Sequence, residues 1–183
     1  MNKPSLRELY TIRAARPDDL AAFPGIEHAA AAHFRTTPYA YLADDEPVSA
    51  AVDLTREYAW VVVNASDEPV GFAIVHLLPE SVHLHELDVH PDHAHQGLGR
   101  RLIATVAAWA RGRDATALTL TTFADVPWNG PYYARLGFRT LDVATLSPGL
   151  QAVRREEAES GLPMAKRICM QLDLYDGSPG HPP

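Results

Sequence analysis

Between residues 82 and 112 the chain reads, in order, as a strand, a turn with two closely spaced glycines and an amphipathic helix, and this succession limits the fold more than any other stretch. Val82–Val89 is strand-like and is closed by His90-Pro91. Gly97 and Gly99 then open a helix whose apolar residues Leu98, Leu102, Ile103, Val106, Trp109 and Ala110 recur at helical spacing, and Gly112 ends it. The alternating run 116–122 predicts a further strand. A strand, loop, helix and strand in this order favour a crossover connection and parallel pairing.

The flanking segments predict a mixed sheet. A short alternation over 10–13 reads as a strand, and Pro17-Asp18-Asp19 starts a helix reaching about residue 34, with a break expected at Pro24-Gly25. Residues 35–57 read as a surface excursion with a short helix over 49–57. Two β-rich runs, 58–64 and 69–78, are joined by Ala65-Ser66-Asp67-Glu68 and predict an antiparallel hairpin. Farther on, 128–136 has room for a short helix, 138–141 returns to strand, 150–160 is helical up to Gly161, and 164–174 supplies a last strand. The expectation is one α/β domain over residues 1–176, a mixed central sheet of about six to seven strands flanked by helices on both faces, and a disordered tail over 177–183.

Of the 183 residues, 16 are Lys or Arg and 23 are Asp or Glu, giving a formal charge of −7. An acidic chain has no ready basic face for phosphates, so no nucleic-acid partner is expected. The opening MNKPSLRELY lacks the apolar run of a signal peptide, no stretch is apolar enough to span a bilayer, and the one cysteine, Cys169, cannot form an internal bridge. A soluble, cytoplasmic protein without membrane partners is expected, and Cys169 reads as a small core residue. Six of the nine histidines, His76, His83, His85, His90, His93 and His95, fall within twenty residues. Function is to be sought there first.

The segment His95-Gln96-Gly97-Leu98-Gly99-Arg100-Arg101 lies between strand and helix, so its amides and the positive helix end converge on one place suited to an anion. Glycine at 97 and 99 allows close approach of a phosphate, and Arg100 and Arg101 add charge at the rim. A dinucleotide site is disfavoured, because Leu102 occupies the place of a third glycine, and the phosphate-loop lysine is missing. Val89-His90-Pro91, then Gly97-Leu98-Gly99, a helix, and Pro131-Tyr132-Tyr133-Ala134-Arg135-Leu136-Gly137-Phe138 together resemble the signature of the GNAT family of acetyl-CoA-dependent N-acetyltransferases. The resemblance implies the GNAT fold, acetyl-CoA as cosubstrate, and a pyrophosphate cradle over Ala94-His95-Gln96-Gly97-Leu98-Gly99, with His95, Gln96, Gly97, Leu98, Gly99 and Arg100 contributing amides. Ala94 departs from the family's usual Gln or Arg and forfeits a side-chain contact. The pantetheine arm would run along Leu87, Asp88 and Val89, and Asn129 would hydrogen-bond the same arm.

Acetyl transfer to an amine needs a neutral amine, a polarised carbonyl and a proton for the departing thiolate. Histidine is the side chain with an ordinary pKa in the physiological range. His83 and His85 lie two apart on a predicted strand and share a face. The string His83-Leu84-His85-Glu86-Leu87-Asp88-Val89-His90 is similar to the matching strand of the arylalkylamine (serotonin) N-acetyltransferases, which implies that His83 and His85 deprotonate the amine through water. Glu86 is the rival base, on the opposite face under strict alternation unless a bulge reverses it. Tyr133, five residues before Phe138, takes the family's general-acid position, and Tyr132 reads as the core neighbour.

Two other classes compete. His-x-His on a strand can hold zinc or iron, but the fuller His-x-His-x-Asp-His and His-Glu-x-x-His patterns are absent, so no metal is expected. A coenzyme-binding sensor without catalysis would keep the loop and leave His83, His85 and Tyr133 without purpose. The expected function is acetyl transfer from acetyl-CoA to a primary amine, first a small molecule given the aromatic supply of Phe34, Tyr39, Tyr41 and Trp128, otherwise a protein N-terminus or lysine. A homodimer is compatible with the sequence.

Overall fold

A computed structural model of the protein describes residues 9–175. Seven strands, β1 (Thr11–Ala14), β2 (Tyr58–Val63), β3 (Pro69–Leu77), β4 (Val82–Val89), β5 (Ala117–Phe123), β6 (Arg139–Thr140) and β7 (Arg167–Asp173), form one open sheet in the order β1-β2-β3-β4-β5-β7-β6. Among the described residues it is flanked by the α-helices α1 (Phe23–Ala31), α2 (Leu98–Arg111), α3 (Gly130–Arg135) and α4 (Pro148–Glu159). The expected mixed α/β architecture is therefore the observed one. The tail expected to be disordered lies outside the described residues. The described residues fall into two compact units, one comprising residues 9–76 and 84–106, the other 77–83 and 107–175.

In the first unit β1 pairs antiparallel with β2, and β2 with β3, with a register shift at Val62/Val63. Alternation directs Ala59, Val61 and Val63 of β2 and Phe72 and Ile74 of β3 onto Phe23 and Ile26 of α1, and all seven are buried. Phe23 and Phe72 stack with ring centroids 4.3 Å apart. The expected break at Pro24-Gly25 does not occur. Pro24 sits in the first turn of α1, where a missing amide hydrogen has no helical acceptor to lose. Helical geometry runs from Pro17 to Thr36, in 3-10 form over Pro17–Ala22 and Ala32–Thr36.

The helix expected over 49–57 shrinks to a 3-10 turn at Val48–Ala51. Asp53 explains the loss, because its carboxylate accepts the Thr55 amide at 2.9 Å and hydroxyl at 2.7 Å, and a local side-chain bond of this kind competes with helix continuation.

In the second unit β7 pairs antiparallel with both β5 and β6. Leu146, Leu150 and Cys169 form a buried cluster, and burial pushes the Cys169 thiol above its ordinary range, as suits a core residue. β6 is shorter than expected, and the last strand is preceded by a 3-10 turn at Met164–Lys166. On α2 the expected apolar stripe is buried except for Trp109, which is half-buried with the Arg113 guanidinium 4.5 Å above its ring, while Ala107 is buried instead.

Candidate active site

β4 changes character along its length. Val82, His83 and Leu84 are buried, His85 is exposed, and Glu86, Leu87, Asp88 and Val89 are half-buried. His83, within the second unit, is 1% exposed and its Nδ1 lies 3.1 Å from the Thr119 hydroxyl of β5. That hydroxyl donates to the Val82 carbonyl at 3.3 Å and lies 3.2 Å from Ser81 Oγ.

His85 belongs to the first unit, where its ring stacks on His76 with centroids 4.2 Å apart and planes 21° from parallel. His76 Nε2 in turn lies 2.5 Å from Glu57 Oε1. Glu86 Oε1 accepts the Leu87 amide at 3.2 Å. Asp88 sits in an unfavourable setting for a charged carboxylate. Burial raises its carboxyl well above the usual carboxylate range, the negative charges of Glu86 and Glu27 add to the rise, and its Oδ2 is buried without a hydrogen-bond partner. Glu27 projects from α1, held by the Val48 and Ser49 amides at 2.8 and 2.9 Å.

Asp88 reaches this position because Gly71 on β3 has no side chain. A Cβ there would lie 2.8 Å from the Asp88 carbonyl oxygen.

The glycine loop keeps its expected place at the start of α2, a helix of 14 residues. His95 and Gly97 both adopt left-handed backbone, at φ 60° and 71°, and a side chain at 97 would have to bear that strain in open space. His95, Gly97 and Arg100 are exposed, Gln96 and Gly99 half-buried, and Leu98 buried in the core. Of the rim arginines, Arg101 donates to the Tyr10 carbonyl at 3.0 Å. His90 caps the 3-10 turn Pro91–His93 by accepting the Asp92 amide at 3.3 Å, and His93 Nδ1 is 2.9 Å from the Tyr10 hydroxyl. These two histidines thus hold the approach to the loop.

Tyr133 lies on α3 in the second unit, with Asn129 at the N-cap position, where its side chain makes no capping bond. The Phe138 amide donates to the Tyr133 carbonyl at 3.1 Å and the Gly137 amide to the Ala134 carbonyl at 3.1 Å, a Schellman closure that turns Phe138 back against the Tyr133 ring at a centroid distance of 5.6 Å. Tyr132 is not a core residue, and it and Tyr133 are both half-buried. Of the aromatic supply, Tyr39 is buried and Tyr41 and Trp128 are exposed.

Each unit therefore gathers part of the expected set: His85, Glu86, Leu87, Asp88, Val89 and the loop from His95 to Arg100 in the first, His83, Asn129 and Tyr133 in the second. Sequence reasoning missed Thr119, Glu57 and Glu27. None of the three had a sequence signal, since the alternation of 116–122 sets Thr119 on the strand face opposite Leu118 and Leu120. Among the described residues no group of three or more His, Cys, Asp or Glu is arranged to hold a metal ion, and no helix is long and apolar enough to cross a membrane.

The family model for acetyltransferases of the GNAT family matches residues 24–138. Similar solved structures include the ribosomal-protein-S18-alanine N-acetyltransferase of Escherichia coli, 21% identical with a TM-score of 0.65, over 94% of this chain and 99% of that one. A GNAT-family acetyltransferase from Staphylococcus aureus is 15% identical with a TM-score of 0.69, over 91% and 99%. The PaiA N-acetyltransferase of Thermoplasma acidophilum, solved in complex with coenzyme A, is 11% identical with a TM-score of 0.66, over 90% and 98%. At these identities the structures establish a common fold, and the family match, spanning more than half of the chain, establishes kinship. The chain belongs to the acetyltransferase (GNAT) family and is an acyltransferase.

Proposed function

We propose that the protein transfers an acetyl group directly from acetyl-CoA to a primary amine of a small molecule in the cytoplasm. The observation that carries the coenzyme half of this reading is the left-handed pair His95 and Gly97 ahead of α2, which exposes successive amides at the positive end of a long helix, where a pyrophosphate is stabilised. His95, Gln96, Gly97, Leu98, Gly99 and Arg100 form the cradle, the backbone of Leu87, Asp88 and Val89 lines the pantetheine arm, and Asn129 hydrogen-bonds it. His83 and His85 serve as the base that removes the amine proton through water, with Glu86 as the rival. Tyr133, whose phenol keeps its proton at neutral pH, protonates the coenzyme thiolate as the C–S bond breaks.

The amine half is supported by the negative charges of Glu27 and Glu86 around Asp88, which attract an ammonium acceptor. The local similarity of residues 83–90 to arylalkylamine N-acetyltransferases makes an arylalkylamine the first acceptor to try. Release of free thiol from acetyl-CoA, followed across arylalkylamines, polyamines, amino acids and peptides, tests the reading. Turnover with a small amine is the expected result; turnover with peptides alone would move the acceptor to protein N-termini or lysines.

A further inference from the structure

We propose that Thr119 is a positioning residue: its hydroxyl holds the His83 imidazole as the Nδ1–H tautomer, so that Nε2 is the ring nitrogen able to accept a proton. The catalytic consequence rests on the reading of His83 as base; the tautomer itself does not.

Three polar groups surround Thr119 Oγ1, the Val82 carbonyl at 3.3 Å, Ser81 Oγ at 3.2 Å and His83 Nδ1 at 3.1 Å. Thr119 and His83 are each 1% exposed and Ser81 8%, so bulk water does not substitute for these bonds. The carbonyl can only accept, and a hydroxyl has one proton to give. One assignment makes every contact a hydrogen bond: Thr119 donates to the Val82 carbonyl, and its two lone pairs accept from the Ser81 hydroxyl and from His83 Nδ1–H. In the other tautomer Thr119 would turn its proton to Nδ1, and the Val82 contact would become a pairing of two acceptors. Burial raises the cost of an unsatisfied contact, which favours the first arrangement. An orienting bond at one imidazole nitrogen determines which nitrogen works as base.

The test reads the tautomer directly. Ring nitrogen chemical shifts of His83, recorded on histidine-labelled protein at alkaline pH where imidazole is neutral, should report Nδ1–H in the wild type. Thr119→Ser and Ser81→Ala should keep that signature, and Thr119→Val should lose it. With the acceptor identified, Thr119→Val should lower kcat by roughly tenfold, part of the hundredfold or more that a positioned base contributes, leave the KM for acetyl-CoA unchanged, and be rescued by Thr119→Ser. An Nε2–H signature in the wild type overturns the proposal without need of any variant, as does an unchanged His83 spectrum in Thr119→Val. Wild-type turnover in His83→Gln overturns instead the base reading, and with it the catalytic consequence.

Discussion

The Asp19 carboxylate receives both arms of the Arg13 guanidinium, with Oδ2 2.6 Å from Nη1 and Oδ1 2.9 Å from Nη2. The Arg16 amide adds a third bond to Oδ2 at 2.6 Å, and Arg13 also reaches Asp67 in the β2–β3 turn. One buried carboxylate thus ties β1 to the 3-10 segment and, through Arg13, to the hairpin. The Arg13 hydrogen bonds hold the Asp19 carboxyl below the usual carboxylate range, and burial opposes them without prevailing. A lowered native pKa gives stability that is complete above the unfolded value of about 4 and is lost as pH falls through the native value. Asp19→Asn should destabilise the protein by about 1–3 kcal/mol near neutral pH, with the difference shrinking on acidification below about pH 4. Urea unfolding of both proteins across that range measures it.

Asp88 has the opposite sign. Burial and the charges of Glu86 and Glu27 raise its carboxyl, so its ionisation costs stability as pH rises from the unfolded pKa toward the native one. Asp88→Asn, which mimics the neutral carboxyl, should raise the melting temperature near neutral pH and lose the gain under acid. A melting series against pH that runs parallel to the wild type would remove this account of Asp88.

A Cβ at Gly71 would lie 2.8 Å from the Asp88 carbonyl oxygen and 2.9 Å from Val62 Cγ1, both closer than van der Waals contact allows. Gly71→Ala should therefore displace the end of β4, costing about 1–3 kcal/mol in unfolding free energy and raising the KM for acetyl-CoA. Thermal unfolding and steady-state kinetics on the same preparation read both effects.

Tyr133→Phe removes a hydroxyl and keeps the ring against Phe138. Loss of a general acid should lower kcat by roughly a hundredfold while leaving the affinity for acetyl-CoA near that of the wild type, as measured by calorimetric titration. Unchanged turnover would remove Tyr133 from the acid role.

The strands were the most legible part of the fold. Residues 58–64 and 69–78 are rich in β-branched and aromatic residues, a propensity that acts over neighbouring residues, and β2, β3 and β4 follow the expected runs closely. Helix ends were less legible where a side chain chose between local bonds, as Asp53 does in stopping the helix expected over 49–57. Pro24-Gly25 misled because a proline reads the same in the first turn as in the interior, and only the position of the α1 start tells the two apart.

The sequence by itself determined the kinship, through the spacing of Val89-His90-Pro91, Gly97-Leu98-Gly99 and Tyr133 to Phe138, since these motifs act through backbone turns and helix starts that a few neighbouring residues specify. It also singled out His83 and His85. Only the tertiary structure decided their surroundings: His83 is buried against Thr119, thirty-six positions away in sequence, while His85 is exposed and stacked on His76. Alternation assigns the two histidines to one face of a strand, but burial and ring contacts are set by what the neighbouring strands bring to that face. The same reason hid Glu27, whose effect on Asp88 depends on α1 reaching the end of β4.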